Sequence, residues 1–430
     1  MTSIPALAEQ AHRASIELST YSGQAKNKIL TAVAHCLQAE AEQIFAANQL
    51  DLAAAEASGV AAAIKGRLKF DAGKLETVLD GIRQLIDLPE PVGQTTLATE
   101  LAPGLDLYRV TVPLGVIGVI FEARPDALVQ IAVLCLKSAN SILLKGGSET
   151  AETNRVLAGL IAKAAAEAGA PDGWISLLES RSDVADLLAC DGDVDLLIPR
   201  GSNEFVRYIM DNTKIPVLGH ADGVCHTYVD RAADEELALK VCLDAKTQYV
   251  SVCNATETIL LDRELSKSFV ERLLAALREA GVKVYGDANL ATRYQLSPLT
   301  DYHHEYLDLA VSVCEVDGVK GAVDHVNKYG SGHTDAILTE DAAAAAYFMD
   351  RVDAANVFHN CSTRFSDGFR YGFGAEVGVS TGKIHARGPV GLEGLLTYKY
   401  KLFGHGDTVG PFSDGERSFT HRPLQADPTF

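Results

Sequence analysis

Positive charge is scarce in this 430-residue chain, where 38 Lys and Arg stand against 57 Asp and Glu for a formal net charge of −19. Such a field repels phosphate backbones and anionic bilayers, so neither nucleic acid nor a membrane is expected as a partner. Long apolar runs are missing too. The best stretch, 110–121, is interrupted by Pro113, Gly115 and Gly118 and falls short of the ~20 residues that span a bilayer. Residues 1–13 lack the basic start, apolar stretch and cleavage site of a signal peptide. The eight cysteines contain no Cys-x-x-Cys pair, which suits reduced thiols in a cytoplasm better than a disulfide scaffold or a zinc site. No Gly-x-Gly-x-x-Gly follows any predicted strand. The Walker pattern also fails, because Ile384 follows Gly382-Lys383 where Ser or Thr is needed and Val377 replaces the first glycine. A kinase would have no phosphate cradle here, and an anionic substrate needs a locally basic pocket.

What is present is ordinary globular material, 47% hydrophobic and 22% charged, enough for two or three domains at roughly 150 residues each. The first hundred residues are Ala-rich with helical spacing, with breaks expected at Gly59, Gly66 and Gly73. From Val116 short β-branched runs alternate with amphipathic stretches. Strands are predicted over 116–121, 141–144, 175–178, 194–198 and 216–218, with helices over 126–138, 149–168, 182–189 and 203–212. This alternation calls for a parallel sheet covered on both faces, a Rossmann-like α/β architecture. A second cycle starts after Cys225, with strands at 227–229, 258–261 and 283–285, helices at 235–245 and 266–280, and further strand–helix units at 311–326 and 336–350. The segment 97–110 reads as a hairpin and 395–403 as strand-like. From Thr363 onward the chain is too rich in glycine for helix and suits close backbone approach at a site.

Several residues carry chemistry. Lys145, at a predicted strand end before Gly146-Gly147-Ser148, is placed to reach ribose hydroxyls, and Ser148 leaves room and a donor for a 2′-phosphate. A plain solvated turn would read the same way. Gly201 and Ser202 open a predicted helix whose free N–H groups suit a pyrophosphate, although they suit a merely capped helix equally. Cys253 lies among polar residues at a loop-to-strand transition where a thiol can be partly exposed. Cys135, Cys190, Cys242 and Cys314 sit in apolar contexts and read as core. Asn254 and nearby N–H groups are candidate donors to an oxyanion. Lys383, His385 and Arg387 on the glycine-rich loop supply the basic pocket that an anionic substrate requires. His303, His304 and Glu305 read as a solvated loop, since adjacent residues splay apart and no third metal ligand is spaced to join them.

A lysine at a strand end, a Gly-Ser helix start and then a loop cysteine, in this order, resemble the aldehyde dehydrogenase superfamily. The likeness extends over essentially the whole chain through the blocks at 112–116, 121–126, 144–147, 198–202, 219–223, 253–255, 374–378 and above all 385–395, and is strongest with the branch that reduces acyl phosphates. One departure is Tyr249-Val250 where many bacterial members carry Arg-Pro, a feature shared with the reductase half of two-domain plant and animal enzymes. The resemblance implies an aldehyde dehydrogenase-like fold: an N-terminal NADP-binding domain over 1–224 with an oligomerisation hairpin near 97–111, a catalytic domain over 225–385, and a return with a C-terminal arm over 386–430. It implies reduction of L-glutamyl 5-phosphate to the 5-semialdehyde by NADPH, through a thioester on Cys253. Glu376 matches the glutamate that holds the nicotinamide ribose, and Arg124 joins Lys383, His385 and Arg387 as a substrate ligand. His220 stands near the place where aldehyde-oxidising members keep a glutamate base. A homodimer or larger assembly, and transient contact with glutamate 5-kinase, follow from the same resemblance. The alternative is another NAD(P)-dependent acylating aldehyde dehydrogenase.

Overall fold

The computed structural model describes residues 2–60, 62–180, 182–219, 222–374 and 376–425. Five helices come first: α1 (Ile4–Leu18), α2 (Gly23–Ala39), α3 (Ala41–Ala57), α4 (Ala62–Leu68) and α5 (Ala72–Asp87). Helix α5 shows why, burying Leu75, Val78, Leu79, Ile82 and Leu85 at helical spacing while Asp71 caps it by accepting from the Lys74 N–H. Of the three expected breaks only Gly59 is one, at φ +66°. Gly66 lies inside α4 and Gly73 in the first turn of α5, because the caps, and not every glycine, end these helices.

A hairpin follows, β1 (Thr95–Ala102) and β2 (Leu105–Pro113), turning at Gly104 with φ +81°. The first α/β unit then runs β3 (Val116–Phe121), α6 (Pro125–Lys137), β4 (Ser141–Gly146), α7 (Ala151–Ala168), β5 (Ile175–Leu178), α8 (Asp183–Leu188), β6 (Leu196–Arg200) and α9 (Asn203–Asp211). Its parallel sheet has the order β5-β4-β3-β6. The strand expected at 216–218 shrinks to one bridge between Leu197 and Val217, since Pro216 has no N–H to extend a ladder.

The second unit comprises β7 (Cys225–Val229), α10 (Glu235–Thr247), β8 (Thr256–Asp262), α11 (Lys267–Glu279), β9 (Lys283–Gly286), α12 (Ala288–Tyr294), β10 (Ser297–Pro298), β11 (Ala310–Val316), α13 (Gly318–Tyr329), β12 (Thr334–Leu338), α14 (Ala342–Arg351) and β13 (Asn356–His359). Its seven parallel strands are ordered β10-β9-β11-β8-β7-β12-β13. Alternate residues of the central strands feed two cores. Val229, Ile259, Leu261 and Val313 pack with α10 and α11, while Tyr228, Leu260, Cys314 and Ile337 pack with α13 and α14.

The chain then returns. β14 (Gly378–Ser380) pairs antiparallel with β15 (Gly388–Val390), and Val377, Val390, Leu392 and Leu395 join the apolar core of the first unit. Contact with that core therefore begins before residue 386. β16 (Leu396–Phe403) lies along β2, and β17 (Arg422–Pro423) along β1, giving a sheet β16-β2-β1-β17. Among the described residues no helix is long and apolar enough to cross a membrane.

Candidate functional site

Cys253 lies three residues before β8 and is half-buried. Its backbone is clamped from below. Cys225, fully buried at the start of β7, donates its thiol to the Cys253 carbonyl oxygen at 3.1 Å. A methyl group at Gly223 would stand 2.4 Å from that oxygen and 2.6 Å from the Cys253 Cβ, so only glycine fits. Burial, followed by the charge of Asp335, pushes the Cys225 thiol well up, which keeps it a donor. A threonine ladder ties the neighbouring strands, with Thr227 Oγ1 2.7 Å from Thr256 Oγ1 and Thr256 Oγ1 3.1 Å from Thr363 Oγ1. Asn254 is buried and gives one amide hydrogen to the Ser366 carbonyl at 2.7 Å. Its Oδ1 is buried without a hydrogen bond.

Two guanidinium groups from separate segments lie within electrostatic reach of the thiol. Arg200, at the carboxyl end of β6, donates through Nη1 to the Val377 carbonyl at 2.8 Å. Burial lowers its pKa and Arg124 lowers it further, against the opposing charges of Glu376 and Cys253. Arg364 donates Nε to Gln248 at 3.0 Å. Burial, then Arg370, lowers Arg364, and Cys253 again lies within its electrostatic reach. Neither Arg200 nor Arg364 stood out in the sequence. Arg200 does lie at the carboxyl end of a strand, where open sheets bind ligands, whereas Arg364 carries no such signal.

The expected basic pocket on the glycine-rich loop needs correcting. Lys383 and Arg387 both turn to Asp353, at 2.5 Å and 2.9 Å, and Arg387 adds a bond to the Asp353 backbone carbonyl at 3.0 Å. The Lys383 and Arg387 charges hold the Asp353 carboxyl below its usual range. His385 Nε2 lies 2.9 Å from the Gly394 carbonyl oxygen. These three side chains are engaged within the chain, and a substrate would have to compete for them. His220 lies outside the described residues. The His303–Glu305 loop is tied down, His303 Nδ1 lying 2.7 Å from the Tyr329 carbonyl and Glu305 accepting from Asn203 at 2.6 Å.

Lys145 is buried at the end of β4 and donates to the Gly146 carbonyl at 2.5 Å. Burial lowers its ammonium pKa, with Asp183 and Glu149 opposing. Ser148 is exposed at the start of a short 3-10 turn. A methyl at Gly147 would meet the Glu149 carboxylate at 2.2 Å, and Glu149 in turn accepts from the Ala123 N–H at 2.6 Å. Ser202 occupies the N-cap of α9 without a side-chain cap bond, and its N–H donates to Glu122 Oε2 at 3.2 Å. A carboxylate therefore rests on the N–H group expected to meet a pyrophosphate. Glu376 accepts from the Gly368 N–H at 2.9 Å. A lysine at a strand end, an exposed serine beside it and the start of α9 at Gly201 and Ser202, where Glu122 now takes the Ser202 N–H, are a donor set that fits a dinucleotide.

Residues 2–306 match the aldehyde dehydrogenase family. The chain is 55% identical over 423 residues to the gamma-glutamyl phosphate reductase of Pelotomaculum thermopropionicum, with 98% of each chain covered. It is 54% identical to the same enzyme from Ruminiclostridium cellulolyticum, covering 96% of each. The crystal structure of gamma-glutamyl phosphate reductase from Thermotoga maritima superposes with a TM-score of 0.92 at 35% identity, covering 95% of this chain and 100% of that one. An acetylating aldehyde dehydrogenase from Geobacillus thermoglucosidasius, at 17% identity and a TM-score of 0.63, shares the fold.

Proposed function

The chain belongs to the aldehyde dehydrogenase family, in its gamma-glutamyl phosphate reductase branch, and on that premise we propose how its residues carry the reaction. It reduces L-glutamyl 5-phosphate to L-glutamate 5-semialdehyde with release of phosphate, a step of proline biosynthesis. The Cys253 thiolate attacks the acyl carbon, the carbon–oxygen bond to phosphate breaks, and phosphate leaves with the electron pair, which leaves a thioester on Cys253. NADPH, when bound, supplies hydride to the acyl carbon. The Cys253–carbon bond then breaks and the thiolate is restored. The Cys253 N–H and the remaining amide hydrogen of Asn254 hold the oxyanion. Arg124 and Arg200 face the phosphate and carboxylate charges of the substrate, and Lys383, His385 and Arg387 join them once substrate displaces their present partners.

Lys145 and Ser148 serve the ribose and its 2′-phosphate, Gly201 and Ser202 the pyrophosphate, and Glu376 the nicotinamide ribose. Glu122 would have to release the Ser202 N–H for a pyrophosphate to be held there. The sheet β16-β2-β1-β17 supports a homodimer or an assembly of dimers, since Tyr398, Tyr400, Leu402 and Phe403 of its edge strand are exposed. Eight free cysteines support a reducing cytoplasm. Transient contact with glutamate 5-kinase suits an acyl phosphate that water destroys.

The observation that carries this reading is Cys253 itself: a half-buried thiol within electrostatic reach of Arg200 and Arg364, on a backbone fixed by Cys225 and Gly223. The test is oxidation of glutamate 5-semialdehyde with and without inorganic phosphate. Strict dependence on phosphate supports the reading, and equal rates without it, or with coenzyme A in its place, would assign the chain to the hydrolytic or acylating dehydrogenases.

A further inference from the structure

Cys253 stands at the amino end of the second sheet, and the chemistry leaves the carboxyl end unused. In open parallel sheets a ligand crevice forms outside the carboxyl ends, between neighbouring strands whose connections leave to opposite faces. β8 and β11 are such neighbours. β8 leads into α11, which packs on the face of Ile259 and Leu261. β11 leads into α13, which packs on the face of Leu260, Cys314 and Val316. At this switch point the chain leaves a cavity of about 200 Å³, smaller than drug-sized pockets and suited to a metabolite of a few heavy atoms.

Its walls include Leu265, Val270, Leu290 and Tyr294, with Glu315 inside and Arg263, Lys267 and Arg293 around it. The Glu315 side chain is only 7% exposed, and its Oε2 makes no hydrogen bond, only an ion pair with Arg293 Nη2 at 3.4 Å. Arg263 and Arg293 stand off from that carboxylate at 3.4 Å each, with side chains 58% and 52% exposed. The other acid in the lining, Asp262, is satisfied, accepting from Tyr228 at 2.9 Å, Arg231 at 3.0 Å and the Glu264 N–H at 2.9 Å. The crevice thus sets one buried carboxylate oxygen, met by a long ion pair and no hydrogen bond, beside guanidiniums that have donors to spare. A simple anion would press a second negative charge against Glu315, and a simple cation would face three positive side chains. A zwitterion matches both.

We infer that this crevice binds a small L-α-amino acid with an apolar side chain, its ammonium donating to Glu315, its carboxylate held by Arg263 and Arg293, and its side chain against Val270, Leu290 and Tyr294. The site is separate from Cys253 and does not depend on the reductase reading.

The test is calorimetric titration of the full-length protein with individual proteinogenic L-amino acids, and with inorganic phosphate and citrate as anion controls. The titrations are repeated on Glu315→Gln, on Arg293→Ala and on protein alkylated at Cys253 with iodoacetamide. At least one apolar amino acid is expected to bind once per chain, with affinity unchanged by alkylation. Glu315→Gln and Arg293→Ala are each expected to weaken it by at least about tenfold while reductase kcat/KM stays at the wild-type value, which also shows that the variants fold. Absence of saturable amino-acid binding overturns the proposal. So does loss of binding on alkylation, which would place the ligand in the substrate site, unchanged affinity in both variants, or phosphate or citrate binding as tightly as any amino acid.

Discussion

The buried thiol of Cys225 donates to the main-chain carbonyl of Cys253 at 3.1 Å, so one cysteine fixes the backbone from which another acts. Gly223 completes the clamp by having no side chain, and the consequence is measurable. Gly223→Ala brings a methyl within 2.4 Å of the Cys253 carbonyl oxygen and is expected to lower kcat strongly with little change in cofactor KM. Cys225→Ser, which keeps a donor, is expected to retain more activity than Cys225→Ala. Steady-state kinetics of the three variants decide it, and equal activities of the serine and alanine forms would remove the hydrogen bond from the account.

Cys253→Ser is expected to fold normally and lose roughly 10²–10⁴ of turnover, the range for removing a nucleophile or its helper. Cys135 is wholly buried, with its thiol pushed far up by burial alone. Cys135→Ser is accordingly expected to lower Tm and leave the per-molecule rate in place. Thermal melts beside single-turnover assays separate the two, and near-wild-type turnover in Cys253→Ser would end the thioester mechanism.

Preference for NADPH over NADH is expected from exposed Ser148. Lys145→Ala should raise cofactor KM more than it lowers kcat, because a ribose contact serves ground and transition states alike. Glu122→Gln adds a sign test: with the carboxylate on the Ser202 N–H neutralised, cofactor should bind more tightly. Comparison of kcat/KM for both cofactors, with fluorescence titration of the Glu122 variant, checks all three. Equal values for NADPH and NADH would mean that Ser148 does not face the ribose.

Acid stability has a named contributor in His325. Burial, then the neighbouring His226 and Lys328, lowers its pKa to about 3. The unfolded chain takes up that proton near pH 6.5 while the folded one refuses it, so stability falls as pH drops from about 6.5 toward about 3, by at most about 1.4 kcal/mol per pH unit. His325→Gln should flatten the fall of Tm between neutral and mildly acidic pH. A slope as steep as that of the wild type would assign the effect elsewhere.

Assembly is expected from the β16 edge. Light scattering should give at least twice the 45.8 kDa of one chain, and deletion from Leu395 should cost both assembly and activity. A fully active monomer would refute the proposed dimer.

Much of this was legible in the residues. The strand–helix alternation after Val116 follows side-chain periodicity, which is local, and Cys253 stands out because it lies between polar residues at a loop-to-strand transition, unlike Cys135, Cys190, Cys242 and Cys314. What stayed hidden depends on distant segments meeting. Asp353, thirty and thirty-four residues before them, captures Lys383 and Arg387 and so undid the expected free basic pocket. Arg200 finds Val377 at a separation of 177 residues, and no local pattern marks such a pairing. Glu122 on the Ser202 N–H is similarly invisible, because the sequence around Gly201 reads as a helix start whatever occupies it.

The return of the chain to its beginning also sets an order of events in folding. Leu396–Phe403 lies along Leu105–Pro113 in register, and Leu392 and Leu395 close the core of the first unit. During synthesis that core must wait for nearly the whole chain, and its last apolar surface and strand edge stay open while the second unit is being made. Contacts of such sequence separation slow folding and leave sticky surface exposed meanwhile. The N-terminal half, for all its helices and its own sheet, is a domain that only the C-terminus can finish.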